Sequence, residues 1–110
     1  MDDKSIAIGK VKLGKGSKLI NSTVRGTAII GENTTIENGY IGPYTSIANN
    51  CLIKNSEVEF SIILDECKIM DVDIRVEHSL LGNDVEIIKV QSKPATNRFL
   101  IGDQSRIELL

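Results

Sequence analysis

Few side chains in this chain of 110 residues are equipped for chemistry: a single histidine, His78, two cysteines, Cys51 and Cys67, and a lysine-rich glycine run, Gly9, Gly14 and Gly16 with Lys10, Lys12 and Lys15. A histidine titrates near neutral pH and can act as a general base, which makes His78 the one candidate catalytic residue. The cysteines do not form a CxxC pair, and with one histidine they cannot supply the four ligands at recognised spacing that a zinc site needs. They are read as small buried residues, because a free cysteine packs like a small hydrophobe, and a disulfide is less favoured in a chain without a secretory signal. The glycine–lysine run resembles a phosphate cradle in composition, but its spacing fits neither a P-loop nor a dinucleotide fingerprint. No cofactor-binding or metal-binding residue is expected in the chain.

What must position these residues is a repeat. Asn21, Asn38 and Asn55 stand seventeen residues apart, and the segments LGKGSKLINSTVRGTA from Leu13, IGENTTIENGYIGPYT from Ile30 and IANNCLIKNSEVEFS from Ile47 align beneath one another. An aliphatic residue returns every five or six positions: Leu13, Leu19, Val24, Ile30, Ile36, Ile41, Ile47, Ile53, Val58, Ile63, Ile69. The residue two places later would share its face on a strand, yet most of those positions are polar, so each strand turns one residue inward and then the chain bends. Such a hexapeptide period predicts an all-β fold, a parallel β-helix of about five coils. Residues 1–12 are read as a lead-in and first edge, 13–90 as the coils, and 91–110 as a C-terminal cap, since open ends of a repeat fold must be covered. Pro94 interrupts the repeat there, and Arg98, Asp103 and Arg106 are read as ion pairs of the cap.

The same register assigns the small positions. Cys51 and Cys67 fall where Ser17, Ala28, Thr34 and Thr45 stand, four residues after an aliphatic. Gly14, Gly31 and Ala48 follow the first aliphatic of each row, where a close backbone approach is expected. The Asn residues lie on the shortened five-residue edges, where a tight corner demands a left-handed residue, and stacked amides about 4.8 Å apart can hydrogen-bond along the stack. After Ile69 the spacing lengthens to Val76, with Ile74 as the alternative, and His78 is expected where the Asn ladder would continue.

Composition narrows the function. A net charge of −2 offers no basic surface for nucleic acid or an anionic membrane, so neither is an expected partner. With 41% hydrophobic but only 4% aromatic residues, the core must be built of Ile, Val and Leu. The longest apolar runs are three residues, Ile62 to Leu64 among them, far too short for a signal or membrane segment, and a cytoplasmic location is expected. Ile20, Ile29, Tyr40, Tyr44, Leu52, Phe60, Ile62 and Leu64 flank inward positions and should point outward, which predicts self-association.

The run IIGENTTIENGYIGPYTSIANNCLIKNSEVEFSIILDECKI, followed by RVEHSLLGNDVEI and FLIGDQSRIEL, resembles the C-terminal left-handed β-helix of long-type glucose-1-phosphate thymidylyltransferases. That resemblance implies a structural and oligomerisation domain of a sugar-1-phosphate nucleotidyltransferase. Its N-terminal nucleotidyltransferase domain, together with the Mg2+ that domain uses, would lie outside this chain, and the chain would be an excised domain without turnover of its own. It also implies a homo-oligomer, a trimer ahead of a dimer. Hexapeptide-repeat acetyltransferases, which use a histidine at a subunit boundary, supply the alternative: an acyltransferase-like enzyme using His78. A free-standing scaffolding module is the third reading.

Overall fold

Each strand is two or three residues long because the sequence supplies one inward aliphatic and then a turn. The computed structural model describes residues 1–89. Coil 1 comprises β1 (Ile6–Ile8), β2 (Val11–Leu13) and β3 (Lys18–Ile20); coil 2, β4 (Thr23–Arg25), β5 (Ala28–Ile30) and β6 (Thr35–Glu37). Coil 3 comprises β7 (Tyr40–Ile41), β8 (Thr45–Ile47) and β9 (Leu52–Lys54); coil 4, β10 (Glu57–Glu59), β11 (Ile62–Ile63) and β12 (Lys68–Met70); coil 5, β13 (Val76–Glu77), β14 (Leu80–Leu81) and β15 (Glu86–Ile88). Every pairing is parallel and joins equivalent strands of successive coils, which gives three five-stranded sheets, here the first, second and third faces of a β-solenoid.

The predicted aliphatic series is the core. Leu19, Ile36, Ile53 and Ile69 line the third face, Val24, Ile41 and Val58 the first, and Ile30, Ile47 and Ile63 the second, all at most 1% exposed. Register places each directly over its equivalent: Ile36 pairs with Ile53, Ile53 with Ile69. Burying one such side chain stabilises by roughly 1.5–3 kcal/mol, more than the ~1–2 kcal/mol cost of a left-handed corner residue. The choice left open after Ile69 falls to Val76, which pairs with Val58 while Ile74 stays exposed.

The core is open at coil 1. Leu13 is in register with Ile30, yet it is 38% exposed against 1% for Ile30, because no coil covers it. Residues 1–5 cover one corner of that end: Asp2 accepts the backbone N–H of Asn21, and its carboxylate accepts the Ser5 hydroxyl. The expected cap over 91–110, with Pro94, Arg98, Asp103 and Arg106, lies outside the described residues.

Candidate functional site

Three stacks of corner residues carry the polar side chains of the solenoid. At the corner from the third face to the first, Asn21, Asn38, Asn55 and Asp71 have φ of 47, 48, 50 and 58°. Their side chains form the expected ladder: Asn21 Nδ2 donates to Asn38 Oδ1 at 2.7 Å, Asn38 Nδ2 to Asn55 Oδ1 at 3.2 Å, and Asn55 Nδ2 to Asp71 Oδ1 at 2.7 Å. The ladder therefore continues into Asp71 rather than His78. The physical reason is coil length: the step shortens from seventeen residues to sixteen between Asn55 and Asp71, and the residues that follow carry the chain on to the next corner before His78 is reached.

Left-handed residues are not confined to the short edges. At the corner from the second face to the third, Gly16, Asn33, Asn50, Glu66 and Asp84 take φ of 78, 54, 59, 62 and 61°. Beside them, Asn49 Oδ1 accepts the N–H of Glu32, Asp65 Oδ1 that of Asn49, and Asn83 Oδ1 that of Asp65, at 2.7–3.0 Å. This corner is not among those assigned from the sequence; Asn33 and Asn50, seventeen residues apart, are the signal that could have found it. At the corner from the first face to the second, the left-handed residues are Tyr44, Phe60 and His78, with φ of 57, 50 and 49°. The rings pack in a row: Tyr44 and Phe60 centroids lie 5.6 Å apart with the rings tilted by 30°, and Phe60 and His78 stack with centroids 5.3 Å apart at 15°. Such stacking contributes roughly 0.5–1.5 kcal/mol per pair and helps offset the strain of a positive φ. Nothing in the sequence marked these three residues, since aromatic side chains rarely adopt that conformation.

Each candidate from the sequence now has a place. His78 is exposed, held by ring stacking, with no hydrogen-bond partner for its imidazole among the described residues. Cys51 and Cys67 are buried free thiols in one column with Ser17 and Thr34. Thr34 Oγ1 donates to the Ala48 carbonyl at 2.7 Å, Cys51 Sγ to that of Leu64 at 3.1 Å, and Cys67 Sγ to that of Gly82 at 3.0 Å. Burial pushes both thiols up from their ordinary pKa, away from the reactive thiolate. The glycine–lysine run is divided between coil functions: Gly9 and Gly16 adopt positive φ, and a Cβ at Gly14 would come within 2.4 Å of the Gly31 backbone. The outward aliphatics stand as expected at Ile20, Ile29, Tyr44, Phe60, Ile62 and Leu64, whereas Tyr40 and Leu52 are half-buried.

Charge is distributed unequally among the faces. On the first, Arg75 donates to Glu57 Oε1 at 2.7 Å and Glu59 Oε1 at 3.0 Å, and lies 5.1 Å over the Tyr40 ring. On the third, Lys54 pairs with Glu37 at 3.9 Å. Asn50, Glu66, Lys68, Asp84 and Glu86 line a groove at the second-to-third corner, where the hydrogen bond and charge of Asp84 raise the Glu66 carboxyl. Among the described residues no three His, Cys, Asp or Glu side chains come together as metal ligands. No helix there is long and apolar enough to cross a membrane. The arrangement uses its polar groups to join coil to coil, and no buried side-chain N or O among the described residues lacks a partner.

No protein-family model matches the chain. The glucose-1-phosphate thymidylyltransferases of Streptomyces antibioticus and Streptomyces griseus are 42% and 40% identical to it over 99% of its length. The match falls on their C-terminal region, and the chain spans about 30% of the length of these curated relatives. The bifunctional protein GlmU of Campylobacter jejuni is 32% identical over 70% of the chain, covering 17% of that protein.

Proposed function

Because the chain is homologous over 99% of its length to the C-terminal region of glucose-1-phosphate thymidylyltransferases, which it spans for 30% of their length, we propose that it is the left-handed β-helix domain of a sugar-1-phosphate nucleotidyltransferase, serving structure and assembly. The near-complete alignment carries this reading. In the parent, that domain would join a sugar 1-phosphate to a nucleoside triphosphate with release of pyrophosphate, and the Mg2+ would belong there. The free thiols Cys51 and Cys67 fit a cytoplasmic location. The assembly proposed is a homo-oligomer, a trimer ahead of a dimer.

The test is pyrophosphate release from glucose 1-phosphate and dTTP with Mg2+, measured for this chain and for the longer parent protein. The parent is expected to turn over and this chain not. Pyrophosphate released by the chain alone would overturn the reading.

One observation favours a second reading, acyl transfer with His78 at a subunit boundary: the imidazole is exposed at the edge of an apolar face. Acetyl-CoA and a sugar phosphate are the probe, and product formation lost in His78→Ala would replace the first reading by the second.

A further inference from the structure

We infer that the second face, from Ile29 on coil 2 to Leu80 on coil 5, is the surface on which a second copy of this chain packs, with the Tyr44, Phe60 and His78 corner as its edge. The inference rests on the reading of the chain as an assembly domain and assigns the face that does the assembling. Register places Ile29, Ser46, Ile62 and Leu80 in one column at the outward centre of this sheet. The segments that build the face, residues 27–31, 43–48, 60–64 and 78–82, contain no Asp, Glu, Lys or Arg. By contrast, the ion pairs among the described residues, including that of Lys89 with Asp73, all lie off this face. Lys12 of β2, in register with Ile29, ends this column on coil 1, so the bare stretch of the face runs from coil 2 to coil 5.

The size of the surface suits a protein partner. Ile29, Tyr44, Phe60, Ile62, Leu64 and Leu80 are between 38% and 68% exposed. Taking large side chains at roughly 150–250 Å2 each, they present on the order of 500 Å2 of apolar surface. That lies near the upper limit for a lone monomer, about 300–600 Å2, and is a large share of the roughly 800 Å2 that each partner contributes to a standard interface. The occupant follows from pitch. Outward residues recur once per coil, at the strand separation of about 4.8 Å, and a second solenoid alongside presents ridges at the same spacing. Its side chains interdigitate along the whole column, which a surface of different period could match at one or two points only. The uncharged face also excludes a partner that binds through salt bridges.

The experiment is light scattering of the 110-residue chain at 10–100 μM, with far-UV circular dichroism of each variant. Wild type is expected at two or three times 12.0 kDa. Ile62→Glu and Leu80→Glu should retain the dichroism spectrum and fall to the mass of one chain, while Lys18→Glu on the third face should assemble as wild type does. A monomeric wild type, folded glutamate variants that still assemble, or dissociation by Lys18→Glu would each overturn the inference. Should a glutamate variant fail to fold, Tyr44→Ser, which removes the most exposed ring of the corner, is expected to weaken assembly about tenfold, and an unchanged mass profile across the dilution series would overturn it. Pyrophosphate release by the parent is independent of this outcome: an active parent with a monomeric chain would refute the interface and leave the functional reading standing.

Discussion

Replacing Asn38 by valine tests the corner argument at its centre. Asn38 sits at φ 48° with ladder partners on both sides, accepting from Asn21 at 2.7 Å and donating to Asn55 at 3.2 Å. A β-branched residue at that φ is a steric outlier, costing about 1–2 kcal/mol. Losing two exposed hydrogen bonds adds about 0.5 kcal/mol each, the low end of the range for such bonds. Asn38→Val should therefore destabilise by about 2–3 kcal/mol. Asn38→Gly loses the same two bonds but reaches positive φ without steric cost, so its cost should be about 1 kcal/mol. For a domain of this size, 1 kcal/mol corresponds to roughly 4–8 °C in melting temperature. Thermal melts followed by circular dichroism should place Val at least ~8 °C below wild type and Gly about 5 °C below. If Val melts within ~2 °C of Gly, the left-handed corner is not what selects asparagine, and the reasoning fails.

Two further outcomes follow from the packing. Gly31→Ala should destabilise by about 2–3 kcal/mol through overpacking, because its Cβ would meet the Ala48 backbone at 2.7 Å, whereas Gly82→Ala, with open space around it among the described residues, should melt as wild type does. Comparable melts for the two would refute the close-approach account. Burial raises the Cys51 and Cys67 thiols above their unfolded range, so the unfolded chain loses these protons first as pH rises. Their contribution is undiminished below about pH 8.5, the ordinary thiol value, and stability falls as pH climbs above it. Urea midpoints from pH 7 to 10 should show that fall in wild type and less of it in Cys51→Ser, and an equal fall in both would show that the thiol is not responsible.

The core was legible because it is one-dimensional. One inward residue per short strand, every five or six positions, leaves little freedom in which side chains are buried, and the series from Leu19 to Ile69 is at most 1% exposed. The Asn ladder was legible for a similar reason: its period equals the coil, and asparagine tolerates the left-handed region. Cys51 and Cys67 declared themselves by standing in the column of Ser17 and Thr34.

What the sequence by itself determined about this protein is the repeat, the inward aliphatics, the asparagine corner and the likeness to the C-terminal region of sugar nucleotidyltransferases. Tertiary structure alone decided which coil each later residue joins. Coils of seventeen, sixteen and eighteen residues let the register drift, as in the Ile30, Ile47, Ile63 and Leu81 column. That drift carried Asp71 into the ladder and His78 onto the aromatic corner. It also took stacking across coils to hold Tyr44, Phe60 and His78 at positive φ, because the strain is local to each residue while the compensation comes from residues sixteen and eighteen positions away. The uncharged stretch of the second face, coils 2 to 5, has the same origin: four short segments, each unremarkable alone, become one surface only when hydrogen bonds between coils set them side by side.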